Sequence, residues 1–173
     1  MVNVTLRRRR LSKPLEASMN VNKELEKYKF LRLYDMDFEM ALQTISMLKR
    51  YKKFDVRFAL LRDIVVTYAR PFTVSKGFEI NNHIYGIKFE SNEMKSLHNE
   101  LLTLRNQLFA HTDLSYKNPK VGKWTLEHHI VYPMSFKSLD YNGLNTKINN
   151  IKELIEYVRN QLKHKLKDHE KSF

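Results

Sequence analysis

The chain has 173 residues, of which 42% are hydrophobic, and it carries a formal net charge of +12 and no cysteine. A chain of this size can bury one core without disulfides or structural metal, and the lack of cysteine excludes cysteine-ligated zinc and thiol nucleophiles. The basic balance favours polyanionic partners, of which nucleic acid is the commonest. No stretch approaches the roughly 18 apolar residues of a membrane span, and the start lacks the apolar run of a secretory signal. We therefore expect a cytoplasmic protein without a membrane segment.

The first 30 residues are polar, charged and poorly periodic. They predict a basic, flexible N-terminal arm over 1–30, with room for a short helix over NKELEKYKFL, ahead of one helical domain over 31–173. The arm contains four consecutive arginines and no acid within its first 13 residues. These arginines are candidates for contact with RNA or a partner, or they form a solvated tail. They are Arg7, Arg8, Arg9 and Arg10.

The rest of the chain shows four stretches of helical periodicity. Helices are predicted over about 35–51, 54–70, 92–111 and 145–168. Pro71 ends the second helix, and Ser91 is the N-cap of the third. Two short extended pieces predict a β-hairpin insertion around 122–136. Amphipathic helices with few glycines and prolines favour an all-α fold, an antiparallel bundle of four to five helices.

The stretch LRNQLFAHTD at 104–113 places Arg105, Asn106 and His111 within seven residues. On an α-helix Arg105 and His111 lie about 120° apart around the axis, so they do not stack on one line, but they flank a common groove if the helix frays near His111. A phosphate fits between such side chains, more so if a second copy of the helix crosses nearby. The same residues also suit a structural role, because His111 extends a leucine stripe and a histidine near a helix C-terminus gains from the dipole.

Other chemical patterns are lacking. The chain has no glycine-rich phosphate loop, no HExxH motif and no histidine pair at i, i+4 on a helix, so no metal site and no cofactor are predicted. The remaining candidates for nucleic-acid contact are basic side chains outside the arm. They are Arg70, Lys117, Lys120 and Lys123.

The segment LRNQLFAH at 104–111 resembles the signature of the HEPN superfamily (higher eukaryotes and prokaryotes nucleotide-binding domains). That signature is an arginine, often followed by asparagine, and then a histidine after four to six intervening residues. Here five residues separate Arg105 from His111, and Asn106 stands in the usual place. YARPF at 68–72 and AHTD at 110–113 resemble the abortive-infection branch of the superfamily. The likeness covers about 35–168, whereas the segment 114–142 does not map onto the family.

The resemblance implies a helical bundle that dimerises with its two motif helices face to face. Many members are metal-independent endoribonucleases that act as toxins or in phage defence, and a toxin implies a cognate antitoxin. In this chain the resemblance implies that RNA is cut through its own 2′-OH, with His111 as base, Asn106 orienting and Arg105 stabilising phosphate charge. The alternatives are a non-catalytic HEPN-like module that binds nucleic acid or nucleotide, and a helical protein–protein adaptor.

Overall fold

The chain folds into a predominantly helical structure with a small strand ribbon, as its helical periodicity predicts. The computed structural model describes the backbone of residues 13–109 and 114–171, and the side chains of these ranges from Val21 onward. The described residues form six α-helices, with a 3₁₀ turn at Arg70–Phe72 and a π-helix at Arg105–Phe109. The helices are α1 Lys13–Leu48, α2 Phe54–Ala69, α3 Asn92–Leu104, α4 Leu114–Lys117, α5 Tyr141–Thr146 and α6 Ile148–Glu170. Within the described ranges, none of the helices combines the length and the apolarity that a membrane span requires.

Helix α1 is much longer than predicted, because it begins at Lys13 instead of near residue 35. Its buried stripe starts at Phe30, and the charged residues around that position hide the helical period in the sequence. The predicted arm over 1–30 thus overlaps α1 from Lys13 onward. Residues 1–12, which include Arg7, Arg8, Arg9 and Arg10, lie outside the described residues.

The core lies between α1, α2 and α6, and α3 closes it by contacting α2 and α6. An ion pair joins α1 to α6 beside this core, with Arg159 Nε 2.7 Å from Asp35 Oδ1 and Arg159 Nη2 2.9 Å from Glu39 Oε2. The hydrogen bond that Arg159 donates to Asp35, together with the charges of both carboxylates, raises the pKa of Arg159. The largest fully buried side chains come from all four helices. They are Tyr68, Phe38, Ile45, Leu48, Leu61, Ile64, Leu101, Ile151, Leu154, Ile155, Leu162 and Val65.

Two predicted helix ends are confirmed. Helix α2 ends at Ala69, and Pro71 then lies in the 3₁₀ turn. Ser91 caps α3, and its side chain accepts a hydrogen bond from the backbone N–H of Met94. The last predicted helix is present as α6, which begins at Ile148 instead of near residue 145, and a separate short helix α5, capped by Asp140, precedes it.

The predicted β-hairpin is also present. Strand β1 Lys120–Val121 pairs antiparallel with β4 Met134–Ser135, and β2 Trp124–Leu126 pairs antiparallel with β3 His129–Val131. Every residue of the four strands is exposed. We call this segment the hairpin 120–135.

The connection between α2 and α3 is fastened to α1 by a buried carboxylate. Glu26 accepts backbone hydrogen bonds from Phe78, Glu79 and Ile80, at 2.9 Å and 2.7 Å for the last two. Burial raises the pKa of the Glu26 carboxyl, but the three amide donors outweigh it and bring the pKa below its ordinary value of 4.5. A Cβ atom at Gly77 would lie 2.5 Å from Glu26 Oε1, so a larger residue there would displace the carboxylate from its three amide donors.

The segment YARPF at 68–72 packs in the core, where it contacts α3. The Tyr68 hydroxyl lies 2.8 Å from Nδ1 of His98, and the ring of Phe72 meets the His98 ring edge-on at 4.5 Å. Burial lowers the pKa of His98 to about 4, so the imidazole is neutral at pH 7. Tyr68, Phe72 and His98 therefore form a buried junction between α2 and α3.

Replacing Glu26 by glutamine should loosen the connection at neutral pH, because an amide offers one acceptor oxygen where the carboxylate offers two. We expect faster hydrogen exchange at the amides of residues 78–80 in Glu26→Gln. A carboxyl whose pKa is lower in the folded chain stabilises the fold above its unfolded value, here 4.5, and this contribution is lost as pH falls through the folded pKa. The difference in hydrogen exchange at residues 78–80 between wild type and Glu26→Gln should therefore shrink as the pH falls below the folded pKa of Glu26.

The matched control is Glu24→Gln, on the same helix, whose carboxylate pairs with Lys27 and accepts no backbone bond from 78–80 among the described contacts. It should leave exchange at 78–80 unchanged. Unaltered exchange in Glu26→Gln would contradict the fastening role.

Tyr68→Phe should destabilise the fold by about 1–3 kcal/mol, because it leaves the buried Nδ1 of His98 without its partner. Urea unfolding at pH 7 measures this loss. The matched control is Tyr157→Phe, which removes an exposed hydroxyl bound to the Lys88 carbonyl at 3.2 Å and should stay within about 0.5 kcal/mol of wild type. Equal losses of unfolding free energy in the two variants would show that the Tyr68–His98 hydrogen bond contributes no more than an exposed one.

Candidate functional site

The motif residues follow a change in helix type. Helix α3 ends at Leu104, and Arg105–Phe109 form a π-helix. The predicted continuous α-helix over 92–111 is therefore wrong over Arg105–Phe109, and its last two residues lie outside the described residues. A π-turn closes i→i+5 hydrogen bonds, is rare, and occurs frequently at functional sites.

The π-helix packs against the core. Leu108 and Phe109 are consecutive in the chain, and both pack against the core. Phe109 meets Phe58 of α2 edge-on, with ring centroids 6.5 Å apart. These contacts hold the end of the π-helix against α2.

The guanidinium of Arg105 has an unused buried donor. Its Nη1 donates to Oδ1 of the neighbouring Asn106 at 2.8 Å. Its Nε is buried and has no hydrogen-bond partner in the described part of the chain. Leaving such a donor unpaired costs free energy, and each case in a native structure calls for an explanation such as a ligand. Arg105 also forms no ion pair with a carboxylate of residues 21–109 or 114–171.

Asn106 is exposed, and its carbonyl oxygen holds the Arg105 side chain. Its amide nitrogen keeps two donors that can reach an external acceptor. His111 lies in the segment 110–113, outside the described residues. The structure thus brings Arg105 and Asn106 together, while the position of His111 relative to them stays a prediction.

The other predicted basic contacts fall in two places. Arg70 lies beside α1, where its Nη1 is 3.1 Å from Asp37 Oδ1. Lys117 ends α4, and Lys120 and Lys123 are exposed at the start of the hairpin 120–135. Arg70 therefore has a carboxylate partner, and it is separated in the fold from the three lysines.

Sequence reasoning missed Lys137, which belongs with Lys117. The backbone N–H of Lys137 donates to the carbonyl of Lys117 at 2.8 Å, so the two residues meet where the hairpin begins and ends. Twenty positions separate them in the chain, and only strand pairing brings them together. The signal that could have found Lys137 is the predicted hairpin, whose two ends must be adjacent.

Among the described residues, no group of three or more histidine, aspartate and glutamate side chains is placed to hold a metal ion. No family model matches the chain, and no curated protein or solved structure matches it at a significant level. The HEPN resemblance therefore depends on the residues of the chain itself, chiefly 104–111. What the chain does has to be inferred from the chemistry of Arg105 and the surface around it.

Proposed function

We propose that this chain is a HEPN-type endoribonuclease that cleaves RNA without a metal ion, acts as a homodimer and serves as a toxin or in phage defence. The observation that carries the proposal is the π-helix at the motif. It leaves Arg105 half-buried, with Nε unpartnered in the described residues and Nη1 held by Asn106. An arginine in this state is ready to bind an oxyanion.

The arrangement of the helices is part of the same proposal. Helices α1, α2, α3 and α6 supply the core, and the short helices α4 and α5 connect them. We infer an antiparallel bundle of the HEPN type. In a homodimer of such bundles, two copies of the motif line one cleft.

RNA carries its own nucleophile, the 2′-OH, so the chain has to supply a base and a site for phosphate charge. His111 takes the 2′-proton, the 2′-oxygen bonds to phosphorus, and the bond to the 5′-oxygen breaks as that oxygen takes up a proton from water. The products are a 2′,3′-cyclic phosphate and a free 5′-hydroxyl. Arg105 binds the charge that builds on the phosphate oxygens, and Asn106 orients the hydroxyl or a phosphate oxygen. DNA lacks the 2′-OH and is not cut.

A nucleic-acid-binding module without chemistry is the second candidate. The exposed hairpin 120–135, with Lys120 and Lys123, favours it, because an exposed ribbon with lysines can bind a polyanion without cutting it. Such a module retains RNA in a salt-dependent way and leaves it intact in chelator. Intact RNA with wild-type protein would therefore select this candidate.

His111→Ala should lower RNA cleavage by about 10²–10⁴-fold, because it removes the general base. The assay incubates purified protein with total RNA in chelator and counts fragments that end in cyclic phosphate. The matched control is His164→Ala, an exposed histidine on α6, which should cut like wild type. Equal cleavage by His111→Ala and wild type would end the assignment.

Arg105→Lys should lower cleavage by about 10²–10³-fold, because an ammonium does not replace the fixed fork of guanidinium donors. The thermal midpoint should change little, since the aliphatic stem is kept. Arg62→Lys, at an exposed position of α2, is the matched control. Full activity in Arg105→Lys would show that a point charge suffices and would contradict the proposed role.

A further inference from the structure

We propose that a groove beside the π-helix binds an unpaired nucleobase of a single-stranded nucleic acid. The groove has a volume of about 420 Å³, within the usual range for small-ligand sites. Its walls include four aromatic side chains, Phe54, Phe58, Phe136 and Tyr141. The proposal rests on the proposed function for the identity of the strand as RNA, and it adds which form of RNA is taken and where.

The aromatic walls are suited to a flat, apolar ligand. Phe54 and Tyr141 meet edge to face, with ring centroids 4.7 Å apart, and Phe58 lies 6.3 Å from Tyr141. Phe54 is 63% exposed and Phe136 is 58% exposed. Aromatic faces open to water at the edge of one groove are stacking platforms for bases.

The far wall is held in place by a network from α2. Arg57 donates from Nη1 to the carbonyls of Leu48 and Tyr51, at 2.8 Å and 2.9 Å. Its Nε donates to the Tyr141 hydroxyl at 3.2 Å, and its Nη2 donates to Oδ1 of Asn145 at 2.6 Å. The Tyr141 ring is therefore fixed before a ligand arrives, which lowers the entropy cost of binding.

The charge around the groove selects a polyanion. Lys117 and Lys137 line it, and the segment 117–137 contains four lysines against the single acid Glu127. Neither lysine forms an ion pair with a carboxylate of the described residues. Two cations beside aromatic walls match the phosphates that flank a base.

The groove borders the candidate site. Leu108 belongs to the π-helix that begins at Arg105, and it forms part of the groove wall. A nucleotide in the groove therefore lies next to the turn that carries the guanidinium. Bases of a duplex are stacked and paired, so only an unpaired base can enter. The groove thus restricts the candidate site to single-stranded regions.

The test is the binding of short fluorescent oligo(dT), which has unpaired bases but no 2′-OH and so is not a substrate. Phe136→Ala should bind it about 5- to 150-fold more weakly than wild type, the range expected for one lost stacking contact. The matched control is Phe78→Ala, an exposed aromatic residue on the connection between α2 and α3, which should bind like wild type. Unchanged affinity in Phe136→Ala, or no binding of oligo(dT) by the wild type, overturns the proposal.

A second variant reports on binding in the groove through tryptophan fluorescence. The chain has one tryptophan, Trp124, so Trp124→Phe combined with Phe136→Trp moves the sole indole fluorophore into the groove. Oligo(dT) should quench its fluorescence by stacking, whereas heparin, a polyanion without bases, should not. Equal quenching by heparin, or none by oligo(dT), overturns the proposal.

Sedimentation of wild type and Phe136→Ala tests whether the groove is instead an interface between two copies of the chain. If the variant dissociates into smaller species and keeps its affinity for oligo(dT), the groove is an interface between copies and not a base site. The result is separable from RNA cleavage. If the wild type binds oligo(dT) through the groove but does not cleave RNA, the proposed nuclease activity is refuted and the base site is kept. If the wild type cleaves RNA and Phe136→Ala binds oligo(dT) as the wild type does, the base site is refuted and the nuclease activity is kept.

Discussion

The structure depends on the burial of one stripe of α1 between α2 and α6. Phe38, Ile45 and Leu48 are fully buried there, and each contributes on the order of 2 kcal/mol of apolar burial. This packing fixes the directions of α2 and α6, against which α3 then closes. The Arg159 ion pair with Asp35 adds an angular constraint at the same contact. Every feature of the candidate site is placed relative to this frame.

The candidate site lies where the chain leaves α3 and enters the π-helix Arg105–Phe109. The core accepts both Leu108 and Phe109 at the end of this π-helix. At its beginning, Nε of Arg105 is buried and unpartnered in the described residues. One short segment therefore combines core contacts with a buried donor that has no partner among the described residues.

The surface beside the site combines aromatic rings with cations. Its parts come from distant segments, because Phe54 belongs to α2, Tyr141 to α5, and Lys117 and Lys137 flank the hairpin 120–135 on either side. Arg57 joins two of these segments through one side chain. A chain of net charge +12 has many basic side chains, and the fold determines which of them lie beside the aromatic residues of the groove.

The sequence by itself determined the features that act over a few residues. Pro71 ended α2, Ser91 capped α3, and two short extended pieces predicted the hairpin, because dihedral limits and capping bonds are local. The tertiary structure alone decided the early start of α1, the π-turn at Arg105 and the meeting of Lys117 with Lys137. Each of these involves contacts between distant residues: Phe30 stacks on His83, Phe109 meets Phe58, and strand pairing joins two positions that are twenty residues apart. Local propensity carries no information about such contacts.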